Sequence, residues 1–161
     1  MSFDESKYRE GYSIGVGGVV ICNDEVLLVR RTRGEDTGEW AIPGGFVEKN
    51  EKADKAILRE VLEETGIKAE VTGLIAIRNR IYKDENSIYL IFLLEAKSEE
   101  FEAQKSEVDK VGFFNLSQLG GISNLQPLSR IVIEKVLNKE HKILPSISQD
   151  DFPEKEYGIF C

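Results

Sequence analysis

A run of glutamates at helical spacing, near the end of residues 45–67, constrains this chain more than any other feature. An α-helix turns once in 3.6 residues, so Glu60, Glu63 and Glu64 project from one stripe of the helix predicted over 51–65. The aliphatic side chains of the same segment recur with that period on a separate stripe: Ala53, Ile57, Leu58, Val61 and Leu62. The pattern predicts a helix that packs one face and collects negative charge on another.

The clustered carboxylates are typical of a metal site. Like charges three and four residues apart destabilise a bare helix, so packing alone gives no reason to gather them. Mg²⁺ prefers oxygen ligands and keeps several waters, which suits a few carboxylates together with substrate phosphates. The alternative is a solvated acidic helix face interspersed with lysines. Arg59 lies beside the cluster and is expected to pair with Glu51 or Glu63 and fix their orientation.

The spacing of these residues resembles the signature of the Nudix hydrolases. That signature reads Gly, five residues, Glu, seven residues, Arg-Glu, an aliphatic residue, any residue, Glu-Glu, any residue, Gly and an aliphatic residue. Every fixed position is filled here, by Gly45, Glu51, Arg59, Glu60, Val61, Glu63, Glu64, Gly66 and Ile67. Residues 39–45 and 16–31 resemble the lead-in and the opening hairpin of the family. Asn50 replaces the glycine of many members, and Asn also tolerates a left-handed turn.

The resemblance implies both a fold and a chemistry. The fold is an α/β/α sandwich with a mixed β-sheet. The chemistry is metal-dependent hydrolysis of the diphosphate bond in a nucleoside diphosphate linked to another moiety, which releases a nucleoside monophosphate and a phosphorylated product. The residues implied to bind Mg²⁺, or Mn²⁺, are Glu60, Glu63, Glu64 and the backbone carbonyl of Gly45. Arg59 and Glu51 complete the implied catalytic set, with Glu51 supporting the cluster through Arg59.

The general base is left open. In the family it is a box glutamate or an acidic residue from a later loop, and here Glu107 or Asp109, just before a strand predicted over 111–116, could reach the site. Both residues are read equally well as solvated loop acids.

Substrate contacts are suggested by an extended segment at residues 77–82. Strand alternation predicts that Arg78, Arg80 and Tyr82 share one face, with Ile77 and Ile81 on the other. The first face could bind phosphate and stack a base, or be an ordinary solvent face.

The sequence does not rank the possible substrates. Tyr82 lies where diadenosine polyphosphate hydrolases of this family tend to carry a tyrosine, and the proline expected of ADP-ribose pyrophosphatases is missing. ADP-ribose, sugar nucleotides, nucleoside triphosphates and dinucleoside polyphosphates all stay open. Arg30, Arg31 and Arg33 are further phosphate candidates, and Trp40 is expected to pack under the box loop rather than stack on substrate.

The rest of the pattern predicts strands and one more helix. The predicted strands are 14–22 and 25–31, joined by a turn at Asn23 and Asp24, then an extended region 67–82, a strand 87–96 buried on both faces, and 111–116; a helix follows over 128–137. We expect a single domain over 1–161, with a core at about 12–138 and a tail, 140–161, that docks or is partly disordered.

Composition narrows the partners. A chain of 161 residues can bury a core without disulfides, and its two cysteines form no disulfide framework. The sequence has no apolar signal and no run of membrane-spanning length, which predicts a cytoplasmic protein with no membrane partner. A net charge of −8 argues against stable nucleic-acid binding and leaves a small-molecule nucleotide.

Two functions from different classes remain. The first is the hydrolase. The second is a catalytically weak Nudix-fold module that binds and senses a nucleotide. The complete set of box carboxylates favours the hydrolase, and the resemblance leaves both a monomer and a homodimer open.

Overall fold

Seven strands form one mixed sheet in the computed structural model, which describes residues 11–34, 36–82, 84–103, 107–147 and 159–161. The strands of this sheet are β1 (Tyr12–Cys22), β2 (Glu25–Arg31), β3 (Trp40–Ala41), β4 (Gly44–Phe46), β5 (Ala69–Tyr82), β6 (Glu85–Ala96) and β7 (Val108–Phe114). The helices are α1 (Ala53–Thr65), α2 (Leu116–Leu119) and α3 (Pro127–Leu137). Two short strands, β8 (Ser146–Ile147) and β9 (Ile159–Phe160), pair separately.

Strand β1 is the centre of the large sheet. Its residues 12–21 pair with β6 in parallel, while its other edge pairs antiparallel with β2 at one end and with β4 at the other. Strand β5 lies antiparallel beyond β6, and β7 pairs antiparallel with β2. The loop between β3 and β4 is tied to the sheet by a hydrogen bond of 2.9 Å from the Gly18 N–H to the Pro43 carbonyl. This arrangement brings the strand that precedes α1 against the middle of the sheet.

Helix α1 covers one face of the sheet. Its aliphatic stripe buries Ile57 and Val61 completely against Val16, Val20 and Phe92 of β1 and β6. Removing apolar surface from water in this way stabilises the docked helix. With this face packed, the acidic stripe of α1 lies at the end of the sheet where β4 is.

Helices α2 and α3 cover the opposite face. Ile133 and Val132 of α3, with Leu119 of α2, pack on Val19 and Ile91 of the sheet. The two covered faces make the α/β/α sandwich with a mixed sheet that the resemblance implies.

Three predicted turns adopt the backbone that their residues favour. Asn23 and Asp24 have φ angles of 48° and 62°, as a tight hairpin turn requires. Asn50 has a φ of 64°, so the substitution of Asn for Gly keeps the left-handed turn. Gly66 ends α1 at a φ of 73°, and its N–H donates to the Leu62 carbonyl at 2.8 Å.

Some predicted bounds are wrong. The strand expected over 111–116 begins at Val108 and ends at Phe114, because Asn115 and Gln118 form a reciprocal capping box that starts α2 at Leu116. Helix α1 begins at Ala53 rather than residue 51. Strand β6 is not buried on both faces along its length: exposed and half-buried residues are interspersed with the buried ones, which are Ser87, Ile91, Phe92 and Leu94.

The described part of the tail docks on the domain. Leu144 pairs with Leu74 of β5, and Phe160 packs edge-on against Phe92 with 5.3 Å between ring centroids. Residues 148–158 of the predicted tail lie outside the described residues. Within the described ranges, none of the helices has the length and apolar character that a membrane crossing needs.

Candidate active site

Glu64 is held at the junction of α1, β2 and β4. Its side chain is only 2% exposed. The Gly44 N–H donates to Glu64 Oε2 at 2.9 Å, and the guanidinium of Arg31 contacts Glu64 Oε1. The same guanidinium donates to the Gly44 carbonyl at 2.8 Å. The last turn of α1 is therefore joined through Glu64 to two strands of the sheet.

Burial changes the proton affinity of the two inner carboxylates. It raises the pKa of Glu64 to about 7, against the opposing effects of Arg31 and the Gly44 N–H. Burial also raises the pKa of Glu60, where the positive charge of Arg59 opposes the shift and the negative charges of Glu63 and Glu107 add to it. Both groups are carboxylates whose charge is poorly solvated, which is the condition that a bound cation relieves.

Arg59 organises the outer carboxylates. Its Nε and one terminal nitrogen bind the two oxygens of Glu51 at 2.9 Å each, the forked geometry that guanidinium and carboxylate favour. Its other contacts reach Glu60 at 2.8 Å, Glu63 at 3.2 Å and the Phe46 carbonyl at 3.0 Å. The hydrogen bond to Arg59 is the largest cause that lowers the pKa of Glu51. Glu51 thus lies where a supporting role through Arg59 is geometrically available.

Gly45 gives the Glu60 carboxylate room to approach the sheet. A Cβ at position 45 would lie 2.4 Å from Glu60 Oε1, closer than any side chain allows. Glycine here lets the carboxylate rest on the backbone of β4. Glu60 and Glu64 therefore face adjacent residues of β4, while Glu63 is 59% exposed and touches Arg59.

The carboxylates do not converge as they stand. In the part of the chain that the structure describes, no three Asp, Glu, His or Cys side chains meet where they could hold a metal ion. Arg59 draws Glu60 and Glu63 to itself, and Arg31 draws Glu64. The donor set nevertheless fits Mg²⁺ or Mn²⁺, because it consists of three carboxylates on two turns of one helix, two of them against the backbone of β4.

Tyr89 connects this cluster to Arg78. The strand register aligns Phe46, Gly15, Tyr89 and Arg78 across four strands. The guanidinium of Arg78 lies 5.4 Å from the Tyr89 ring centroid, a cation–π contact. Burial raises the pKa of Tyr89 to about 12, and the charges that act on it include Glu64 as well as Arg78. Tyr89 is therefore within electrostatic range of both Glu64 and Arg78.

The other two predicted substrate residues, Arg80 and Tyr82, also lie on β5. Arg80 is exposed and lies opposite Ser87 on the face that Arg78 occupies, as alternation predicts. Ile77, opposite Leu90, points to the other face. Tyr82 pairs with Glu85 at the end of β5, and its side chain lies outside the described part of the structure.

The two base candidates differ in their surroundings. Asp109 lies within β7 and is bound by the fork of Arg30, with its Oδ1 at 2.8 Å from Nε, and this hydrogen bond lowers the pKa of Asp109. Glu107 is exposed, its carbonyl accepts from the Thr32 N–H at 2.9 Å, and its charge acts on Glu60. The charge of Glu107 therefore acts on one carboxylate of the cluster, whereas Asp109 is paired with Arg30.

Sequence reasoning missed Tyr89. Gly15 and Gly17 held part of the signal, because two glycines in alternate positions of a strand leave room for a large ring on one face, but they do not indicate which ring fills it. Trp40, expected under the box loop, packs edge-on against Phe114 with 5.1 Å between centroids.

Known proteins resemble this chain in sequence and in fold. The family profile described as NUDIX domain matches residues 11–136. A curated relative, "ADP-ribose pyrophosphatase" from Methanocaldococcus jannaschii, is 31% identical over 72% of this chain and 70% of its own length. A crystal structure of a MutT NUDIX hydrolase from Burkholderia pseudomallei superposes with a TM-score of 0.70 and 29% identity, covering 79% of this chain and 99% of its own.

A second similar structure was solved with ligands bound. It is a bifunctional NMN adenylyltransferase/ADP ribose pyrophosphatase from Francisella tularensis, complexed with AMP and a Mn ion. Its TM-score is 0.65 at 25% identity, and the match covers 80% of this chain and 42% of that one.

Proposed function

The chain belongs to the Nudix hydrolase family, whose pyrophosphatases act on diphosphate bonds, and we propose that it hydrolyses a nucleoside diphosphate linked to another moiety in a metal-dependent reaction. Water adds to one phosphorus of the diphosphate, and the P–O bond to the bridging oxygen breaks. The products are a nucleoside monophosphate and a phosphorylated remainder. The observation that carries this proposal is the junction at β4, where Glu60 and Glu64 lie against Gly45 and Gly44.

ADP-ribose is the first substrate to test. The relative from M. jannaschii and the structure from F. tularensis are both described as acting on ADP-ribose. The other three substrate classes left open by the sequence follow in the same assay, because no contact in the described residues selects among them.

The metal would be held by Glu60, Glu63, Glu64 and the Gly45 carbonyl. When bound, Mg²⁺ or Mn²⁺ would neutralise phosphate oxygens and lower the pKa of a bound water. Arg59 keeps Glu60 and Glu63 on one side of α1.

Other residues bind the substrate and handle the proton. Arg78 is positioned by Tyr89 to bind a phosphate oxygen of the substrate, since guanidinium groups pair well with phosphate. Glu107 is our candidate for the general base, because its exposed carboxylate acts on the cluster and, unlike Asp109, forms no ion pair with Arg30. A proton taken from the attacking water would reside on a Glu107 carboxylate oxygen.

The experiment is a product assay on ADP-ribose, sugar nucleotides, nucleoside triphosphates and dinucleoside polyphosphates, with EDTA, Mg²⁺ or Mn²⁺. Products are identified by chromatography and mass, and reaction in H₂¹⁸O shows which phosphorus is attacked. We expect cleavage of one class only when metal is present.

Two results would contradict the proposal. Equal cleavage in EDTA would exclude the metal-dependent mechanism. The sensing module would be favoured instead if a nucleotide raised the melting temperature of the protein but was not cleaved with either Mg²⁺ or Mn²⁺.

A further inference from the structure

Arg31 occupies a carboxylate oxygen of Glu64, which the proposed function assigns to the metal. Its side chain is 21% exposed and contacts Glu64 Oε1, and its other terminal nitrogen donates to the Gly44 carbonyl at 2.8 Å. Glu64 Oε2 is already bound to the Gly44 N–H at 2.9 Å. The oxygen of Glu64 that Arg31 holds is therefore the one that is free of the backbone.

A divalent cation and this guanidinium compete for the same oxygen. Two positive groups on one carboxylate oxygen repel each other, and the repulsion is strong where water is excluded. Glu64 is almost fully buried, so it cannot turn toward solvent to serve the cation separately. Removal of Arg31 without a replacement would leave a buried charge unpaired, which is costly.

We propose that Arg31 is a displaceable counterion: it holds Glu64 in place while the protein is free of metal, and it leaves Glu64 Oε1 when a divalent cation binds. This inference rests on the proposed function, because it takes Glu64 as a metal ligand. Arg31 is then a positioning residue that keeps the site assembled and reduces its affinity for the cation.

Arg30 supplies a matched control one residue away. It forms a forked ion pair with Asp109, and both side chains are partly exposed, at 30% and 41%. Loss of Arg30 changes the net charge as much as loss of Arg31 does, without removing any contact to Glu64.

The test is Mn²⁺ affinity, measured by electron paramagnetic resonance and calorimetry without nucleotide. We expect Arg31→Gln to bind Mn²⁺ about tenfold more tightly than the parent protein, since the competing cation is gone. Arg30→Gln should stay within about twofold, and Arg31→Lys, which keeps the charge, should stay closer to the parent than Arg31→Gln. In an Arg31→Gln/Glu64→Gln double variant the tightening should disappear.

A second measurement needs no variant. The side-chain nitrogen signals of Arg31 should shift when Mg²⁺ is added to ¹⁵N-labelled protein, while those of Arg30 stay in place. This measurement can be made even if Arg31→Gln does not fold.

Three outcomes would overturn the inference. Arg31→Gln with unchanged or weaker Mn²⁺ binding, while the parent binds, would contradict it alone, because a purely structural Arg31 predicts weakening. Arg31 side-chain signals that do not shift when Mg²⁺ binds would also contradict the inference. Absence of metal binding in every variant would remove both this inference and the metal-dependent function.

Discussion

The ring of Tyr89 lies directly against the α carbon of Gly17. A Cβ at position 17 would lie 2.6 Å from Tyr89 Cε1 and 2.9 Å from Ile42 Cδ1. The phenol is thereby held between β1 and Arg78, at the edge of the carboxylate cluster. The absence of a side chain at Gly17 thus fixes the position of a ring that supports a proposed substrate contact.

Gly17→Ala should displace this ring. The added methyl group overpacks a closed site, which commonly costs about 1–3 kcal/mol of unfolding free energy. Because Tyr89 supports Arg78, KM should rise more than kcat falls. Urea unfolding and steady-state kinetics measure the two effects, and Gly121→Ala, where the nearest atom lies at 3.4 Å, is the control. A Gly17→Ala variant as stable and active as the control would contradict the packing argument.

Glu63→Gln should separate activity from stability. Glu63 is 59% exposed and forms an ion pair with the Arg59 side chain, so the free energy of unfolding should change by less than about 0.5 kcal/mol. Activity should fall on the order of a hundredfold or more, since even outer partners of metal ligands commonly contribute 10–100-fold.

Glu134→Gln is the matched control for Glu63→Gln. Glu134 also follows an arginine, Arg130, by four residues on a helix and is 46% exposed. It should keep parental activity. Near-normal turnover by Glu63→Gln at saturating substrate would exclude Glu63 as a ligand.

The raised pKa of Glu64 predicts a pH dependence of stability in metal-free protein. Its pKa is about 7 in the folded state against 4.5 for an unperturbed carboxyl, so between these values the folded state binds more protons than the unfolded state. Stability from this group is present below pH 4.5 and is lost as pH rises to about 7. The loss is at most about 3 kcal/mol, at ~1.4 kcal/mol per pKa unit.

Comparison with Glu64→Gln isolates this contribution. Urea unfolding in EDTA from pH 4 to 9 should show that the parent loses stability relative to the variant through this window, because all other carboxylates are common to both. Parallel profiles would show that Glu64 keeps an ordinary pKa.

Local chemistry explains what the sequence could predict. The helix period placed Glu60 and Glu64 on one stripe, and the turn residues Asn23 and Asn50 adopt the positive φ angles that their side chains tolerate. These features depend on residues a few positions apart, so a single sequence contains them.

Contacts that depend on strand register could not be predicted. Arg31 and Glu64 are 33 positions apart, and they meet only because β2, β4 and α1 converge. Tyr89 lies opposite Gly15 through a parallel pairing of β1 and β6, and a shift of one residue would turn the ring to the other face. No short-range pattern specifies that register.

The described tail should stabilise the domain through Phe160. Its ring packs edge-on against buried Phe92, so Phe160→Ala should lower the free energy of unfolding by about 2 kcal/mol, less than the 3–5 typical of a fully buried ring. Ile131→Ala, which alters a side chain that is 55% exposed, should change it much less. Equal unfolding midpoints for the two variants would show that the Phe160 ring adds no stability.

Glu107→Gln tests the proposed base. Loss of a general base commonly lowers kcat by about 10²–10⁴-fold. Mn²⁺ affinity and KM should change little, because Glu107 acts on Glu60 only at a distance, and the acidic limb of the pH–rate profile should be lost. Asp109→Asn is the matched control, since Asp109 is bound to Arg30, and it should keep most activity. If both variants turn over equally well, the base is a box glutamate, whose loss would lower metal affinity and kcat together.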